Sequence, residues 1–332
     1  MKHSINNFAI HITNVCNLNC PDCQKFNNFK FNGHYLWKDY KDVFKKWSQR
    51  LEPELIAITG GETLLNPSLY EWIKGIREYW PDTPMQVLSN GTQLHLHNKL
   101  YDILLSNNVK LNITQHNLDC RELLFDKVQD FLEPPILEEM KYNEPAYNIF
   151  YNNVKDETWP ECNTTLEFYD LPKHIQEECK NAHGFDFDQF RKWLKLVDKN
   201  NVKMTFTRGT EFWESMLYYK DNKLQVHDSD PEIAWENCPY QICYHMTGAG
   251  KLCKCPPLAG INDFDEQFNV LSRDQKELLS TYKFLTPEQT DDEFDDFIDR
   301  HLTSSHSICK FCPESVIMKK RMYADIGKIK VA

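Results

Sequence analysis

Residues 8–23 read FAIHITNVCNLNCPDC, an alternating apolar run that stops where three cysteines, Cys16, Cys20 and Cys23, begin. The alternation predicts a strand from Phe8 to Thr13, with the cysteine loop at that strand's C-terminal end. Three thiolates on one short loop can hold three corners of a cubic iron–sulfur cluster and leave the fourth iron open to another ligand; a four-cysteine framework fills every iron. Zinc is the competing occupant, but zinc loops more often use paired Cys-x2-Cys units than this Cys-x3-Cys-x2-Cys order.

A second segment adds weight. The apolar run Leu55-Ile56-Ala57-Ile58-Thr59 leads into Gly60-Gly61-Glu62, followed by Thr63 and Asn66-Pro67. Two glycines at a strand end let a ligand approach the backbone closely, and the Glu62 carboxylate suits an ammonium group. Alone, such a turn is common. One strand–helix unit after the cysteine loop, it completes a pattern that resembles the radical S-adenosylmethionine (radical SAM) enzymes, whose signature is this cysteine spacing. The resemblance implies a SAM-binding [4Fe-4S] cluster on Cys16, Cys20 and Cys23, with Gly60, Gly61 and Glu62 holding the methionyl amine of SAM. It further implies reductive cleavage of SAM to a 5′-deoxyadenosyl radical that removes a hydrogen atom from the substrate. One departure stands out: the residue before the third cysteine is often aromatic in that family and lies near the adenine, and here it is Asp22.

Around these motifs the first two hundred residues alternate strand and helix patterns. A helical face runs through Trp37, Tyr40, Phe44, Trp47 and Leu51; the strand Leu55–Thr59 follows, then a helix opened by Asn66-Pro67-Ser68 that carries Leu69, Trp72, Ile76 and Tyr79 and ends at Pro81. Met85–Ser89 reads as a third strand, Leu100–Leu105 as a helix, Val109–Thr114 as a fourth strand and Arg121–Leu132 as a helix. Tyr147–Tyr151 and Thr165–Tyr169 compete for the fifth strand, Phe187–Lys199 is helical, and Val202–Thr207 reads as the sixth strand. Such βα repetition implies parallel strands with crossover helices. The expected fold is α/β: a partial (β/α)6 barrel over residues 1–208, the radical SAM core, with an insertion at about 136–184, followed by a small cysteine-rich domain over 209–332. Trp37, Trp47 and Trp72 sit at core spacing and are read as packing residues. His11, His95, His97 and His116 lie near strand ends or loops, where structural and catalytic roles are equally open. At the ends of the third, fourth and sixth strands, Ser89, Asn90, Thr114, Gln115 and Arg208 are candidates for the ribose or carboxylate of SAM.

Composition is compatible with this reading. Hydrophobic residues make up 41% and aromatics 13% of 332 residues, enough for a packed interior. A net charge of −11 disfavours a nucleic-acid backbone as partner. No stretch approaches the ~20 apolar residues of a membrane span, and MKHSINNF lacks a signal peptide's apolar core, which suggests the cytoplasm. Twelve cysteines in such a chain point to metal ligation in a reducing compartment.

Beyond residue 230 the sequence changes to WENCPYQICYHMTGAGKLCKCPP, with Cys238, Cys243, Cys253 and Cys255, and later Cys309-Lys310-Phe311-Cys312. The Gly248-Ala249-Gly250 turn suggests a hairpin that returns Cys253 or Cys255 towards Cys243. This arrangement resembles the twitch (shortened SPASM) domain of many radical SAM enzymes, and so implies a second, auxiliary [4Fe-4S] cluster. Cys243, Cys255, Cys309 and Cys312 form the favoured ligand set, with Cys238 and Cys253 as substitutes; a four-thiolate zinc site would use the same residue types. Cys120, Cys162 and Cys179 have no partner at ligand spacing and are read as small buried hydrophobes. A fully ligated second cluster suits electron relay, hence oxidation or cross-linking of a peptide or small molecule, with flavodoxin or ferredoxin as reductant. The reading from a different class is a zinc-stabilised, non-catalytic binding protein on the same βα scaffold.

Overall fold

The first strand, β1 (His3–His11), begins five residues before the expected Phe8. Its polar Ser4, Asn6 and Asn7 are the exposed members of the strand while Ile5, Phe8 and Ile10 are buried. The computed structural model describes residues 2–20, 22–91, 93–115, 204–208, 211–212, 214–220, 223–241, 243–314 and 319–320. By its contacts the chain forms two units, Met1–Met85 with Thr210–Ala332, and Gln86–Gly209.

In the first unit, helix α1 (Trp37–Arg50) passes without a loop into β2 (Leu51–Thr59), Leu51 serving both as helix cap and as first strand residue. Strand β2 lies parallel to β1, from His3 opposite Leu51 to His11 opposite Thr59. Its early start admits Pro53, opposite Ile5. A 3-10 turn over Thr63–Leu65 and helix α2 (Leu69–Tyr79) follow. Helix α1 buries Phe44 and Trp47; α2 buries Leu69, Trp72, Ile73 and Ile76. Phe44 and Trp37 each meet the Trp72 ring edge-on with centroids 5.0 Å apart. Full burial of a side chain such as Phe44 stabilises by about 1.5–3 kcal/mol. The buried indoles are also satisfied as donors: Trp47 Nε1 to Gly250 O at 2.8 Å and Trp72 Nε1 to Tyr35 O at 2.8 Å. These tryptophans are packing residues, as their spacing suggests.

The second unit holds strand β3 (Met85–Ser89), a 3-10 turn over Leu94–Leu96, helix α3 (Leu100–Ser106), β4 (Val109–Gln115) and β5 (Met204–Arg208). Strand β5 is the segment expected as the sixth strand. It ladders directly onto β4 in parallel, from Leu111 opposite Met204 to Gln115 opposite Arg208, so it fills the place expected for an intervening fifth strand. The helices expected at Arg121–Leu132 and Phe187–Lys199, the strands at Tyr147–Tyr151 and Thr165–Tyr169, the insertion, His116, Cys120, Cys162 and Cys179 all lie outside the described residues.

The chain then returns to the first unit. Strand β6 (Glu211–Phe212) precedes the antiparallel pair β7 (Leu217–Lys220) and β8 (Lys223–Val226). Helix α4 (Pro231–Glu236) is capped by Asp230, whose side chain accepts from the amides of Glu232 and Ile233. The hairpin β9 (Cys243–Thr247) and β10 (Leu252–Cys253) turns at Gly250 as expected, with Leu252 opposite Met246 and Cys253 opposite His245. Strand β9 also runs parallel to β1, from Asn7 opposite Cys243 to His11 opposite Thr247, giving the order β10-β9-β1-β2. Residues 210–332 thus group with 1–85, whereas the sequence expects 209–332 as a domain apart. Helix α5 (Pro256–Phe268) seats Phe264 among Phe26, Phe29 and Phe31, the aromatics that follow the cysteine loop. Helices α6 (Arg273–Ser280) and α7 (Asp291–Thr303) each start with a capping box, Ser272 with Gln275 and Thr290 with Glu293. A 3-10 turn over Ser307–Phe311 and β11 (Lys319–Lys320), antiparallel to β6, complete the unit. Among the described residues no helix is long and apolar enough to cross a membrane.

Candidate metal centres

The first cysteine group forms where β1 ends. Thr13 bridges to His34, and its hydroxyl accepts from the Val15 amide at 3.0 Å, turning the chain into the loop. Leu18 and Cys20 are buried, with Cys16 and Cys23 packed against them. The Leu18 amide donates to Cys16 Sγ at 3.4 Å. Asn27 fixes the loop's end: it donates to Asn14 O at 2.6 Å and accepts from Cys23 Sγ at 3.7 Å.

The Gly-Gly-Glu turn is fastened to this loop by backbone. Gly61 donates to Thr13 O and Glu62 to Val15 O, each at 2.8 Å. A Cβ on Gly60, whose φ is +151°, would meet Thr13 O at 2.5 Å, and one on Gly61 would meet Val15 O at 2.2 Å. The close approach these glycines permit is therefore that of the protein's own cysteine loop. Glu62 is fully buried; its carboxylate accepts from the Leu64 amide at 3.0 Å and caps the short turn Thr63–Leu65.

Lys25, which sequence reasoning passed over, and Asp22 complete this group. Lys25 donates to Thr59 Oγ1, and its ammonium feels the opposite charges of Cys23, Cys16 and Glu62. Burial lowers its pKa, and those three groups pull it back up. Asp22, the departure from the family pattern, has φ +51°, a conformation Asp tolerates better than an aromatic residue. Its carboxylate accepts from the Ser215 amide at 3.4 Å, while Gln24 Nε2 donates to Glu214 O at 3.2 Å, so this side of the loop is tied to residues 214–215.

The second cysteine group gathers four segments of the same unit. Cys238 follows α4 and accepts from the Tyr240 amide at 3.4 Å. Cys255 is the N-terminal cap position of α5. Cys309 and Cys312 lie in and after the last 3-10 turn, which is held to the segment before α4 by Ser229 N to Lys310 O (2.9 Å) and His227 N to Phe311 O (3.3 Å). Burial is the first cause that raises the Cys255 thiol, followed by Cys312, Cys238 and Cys253; Cys312 is raised by burial, then by Cys309 and Cys238. Burial raises Cys238 first; the Tyr240 amide and Lys254 lower it, and Cys309 and Cys243 raise it further. Cys238, Cys255, Cys309 and Cys312 thus repel one another as thiolates, a repulsion that metal binding removes.

The other two cysteines neighbour that set, Cys253 acting on Cys255 and Cys243 on Cys238. Cys253 is fully buried in the apolar cluster with Phe264 and Ile308, and its thiol donates to His245 O at 3.2 Å. Cys243 opens β9, opposite Asn7, whose side chain hydrogen-bonds to it. Among the described residues no three His, Cys, Asp or Glu side chains are set to hold a single metal ion.

Between the two groups runs a polar chain. His11 Nε2 lies 2.9 Å from His245 Nδ1, and the His245 ring meets Tyr240 edge-on at 6.0 Å. Tyr240 is raised by burial, then by the charges of Cys238, Cys255, Cys23 and Cys243, so it faces cysteines of both groups.

In the second unit, Ser89 and Asn90 are buried at the end of β3, with Ser89 Oγ accepting from Gly91 N at 2.9 Å. Thr114 and Gln115 end β4 opposite Thr207 and Arg208, so these candidates share one strand end.

Residues 10–143 match the model of the Radical SAM superfamily. Its α/β architecture, with the parallel ladders β9-β1-β2 and β4-β5, accords with that match. Among curated proteins, the chain is similar to GTP 3′,8-cyclase of Nautilia profundicola, 26% identical over 95 residues (28% of this chain, 30% of that protein). It is likewise similar to the probable GTP 3′,8-cyclase of Methanocaldococcus jannaschii, 32% identical over 74 residues (22% and 25%). The matched segments span less than a third of either relative. Among solved structures it is similar to BtrN in complex with AdoMet and 2-DOIA (14% identity, TM-score 0.41, 98% of this chain and 100% of that one). A further likeness is to Streptococcus suis SuiB bound to S-adenosylmethionine (12%, 0.42, 92% and 71%).

Proposed function

We propose that this chain is a radical SAM enzyme that carries two four-iron clusters and oxidises or cross-links a peptide or small molecule. Cys16, Cys20 and Cys23 hold the first cluster, which when bound supplies the electron for cleaving SAM. The observation that carries this reading is the fastening of Gly60-Gly61-Glu62 to the cysteine loop by two backbone hydrogen bonds at 2.8 Å. It fixes the Glu62 carboxylate beside the thiols, where it can pair with an ammonium on a ligand of the open iron. Lys25 offsets part of the negative charge that three thiolates and Glu62 concentrate there. Ser89, Asn90, Thr114, Gln115 and Arg208 remain the candidates for the ribose and carboxylate of SAM.

For the second cluster the geometry favours Cys238, Cys255, Cys309 and Cys312, with Cys238 in place of Cys243. Each sulfur of such a cluster sits on its own iron, so the thiols need not crowd round one point as they do about zinc. Four thiolates leave no iron open, which suits an electron relay for a net oxidation, with flavodoxin or ferredoxin as the reductant.

The test is an iron count joined to a product assay. Anaerobically reconstituted protein should hold about eight irons, and the Cys16→Ala/Cys20→Ala/Cys23→Ala variant about four. With dithionite and SAM, wild-type protein should release 5′-deoxyadenosine and the triple variant none. Full iron content in that variant, or a colourless zinc-loaded wild type, overturns the reading.

A further inference from the structure

The segment after α6, the middle of α7 and the segment after α7, together with Lys254 beside Cys255, line a cavity of about 210 Å³. Four of its lining residues are basic: Lys254, Lys283, Arg300 and His306. Ser304, Ser305 and Thr281 add hydroxyls, and Tyr282 and Phe297 supply apolar walls. In a chain of net charge −11, four basic side chains round one small cavity run against the composition.

The basic groups are positioned. Lys254 is only 7% exposed; its ammonium donates to Ser304 O at 2.7 Å and stands 5.3 Å over the Trp235 ring, while its amide donates to Tyr282 Oη at 2.9 Å. The His306 ring meets Tyr282 edge-on at 4.9 Å and accepts the Ile308 amide on Nδ1 at 3.2 Å, which leaves Nε2 as its second polar atom. Arg300 pairs with Asp296 one turn earlier on α7, and Glu293 feels the charge of Lys283.

We propose that this cavity is a binding site for a small anion, a carboxylate or phosphate group on a compact body. Lys254 and His306 form its inner wall and Lys283 and Arg300 its rim, the hydroxyls accept or donate as the anion requires, and the aromatic walls cover an attached apolar part. The volume suits a small molecule; ligand pockets for larger ones run to about 300–1,000 Å³. Because Lys254 also feels Cys309, Cys255 and Cys238, an anion here shares its countercharge with the second cysteine group. The proposal does not depend on which metal those cysteines hold.

Inorganic phosphate is the probe, titrated by calorimetry into anaerobic full-length protein in a low-chloride buffer. The expected result is one saturable site, competed by acetate and indifferent to saturating SAM. The Lys283→Gln/Arg300→Gln variant changes two rim residues remote from the cysteines, so it should keep its iron and its circular dichroism and bind phosphate at least ten-fold more weakly. Absence of saturable binding in the wild type, equal affinity in the variant, or displacement of phosphate by SAM would each overturn the site.

Discussion

His11 on β1 and His245 on β9 hydrogen-bond through their rings at 2.9 Å, although they lie 234 positions apart in the chain. Burial first, then the charges of Lys25 and His245, hold His11 well below 6.5. A histidine so depressed takes up its proton only on unfolding. Stability is therefore complete above the unfolded value and is lost as pH falls beneath it. Denaturant midpoints should drop between about pH 7 and 5, by up to roughly 1.4 kcal/mol per pH unit for the proton withheld. His11→Gln keeps a polar partner for His245 and should flatten that slope; a variant as pH-sensitive as wild type would sink the assignment.

Gly61 admits no side chain, because a Cβ would stand 2.2 Å from the Val15 carbonyl. Gly61→Ala must push the turn off the cysteine loop, at a cost of about 1–3 kcal/mol. The expected outcome is reduced thermal stability together with loss of iron from the first site, read as about four irons where the wild type holds about eight. Unchanged iron content and SAM binding would show that the fastening is dispensable.

Glu62→Gln retains an acceptor for the Leu64 amide, 3.0 Å away, and removes the charge. Iron content should hold, and SAM affinity should fall ten-fold or more as the ligand ammonium loses its partner. Equal affinity would take Glu62 out of the site.

Single changes to alanine separate the cysteines of the second group. Cys238→Ala should lose about four irons, as should Cys255→Ala, Cys309→Ala and Cys312→Ala. Cys243→Ala should keep them. Cys253→Ala should also keep them and pay only for packing, on the order of 1 kcal/mol, since its thiol lies in the apolar cluster. If Cys243→Ala loses iron and Cys238→Ala does not, the original sequence preference for Cys243 is restored.

The repeating elements were readable because each satisfies a local rule. Strand β3 falls on Met85–Ser89 as its alternation predicts, and α2 is framed by Asn66-Pro67-Ser68 and Pro81. Boundaries slipped where local signals mislead: Pro53 hides the start of β2, and outward-facing Asn6 and Asn7 hide the start of β1. The cysteine loop and Glu62 were legible from spacing. Lys25 was not, because nothing local distinguishes a surface lysine from one that shares charge with thiols brought from elsewhere. The proposed preference for Cys238 over Cys243 was equally hidden, because it rests on the docking of the last 3-10 turn through backbone bonds between residues 227–229 and 310–311.

Strand β1 is bordered on one side by β2, made within the next fifty residues, and on the other by β9. During synthesis its second edge has no ladder until residue 247 has left the ribosome. An unpaired edge is a template for pairing with other chains, and contacts so far apart in sequence close late. The first cysteine loop, which hangs from the end of this strand, is thus assembled on a scaffold that stays half-bordered until β9 is made.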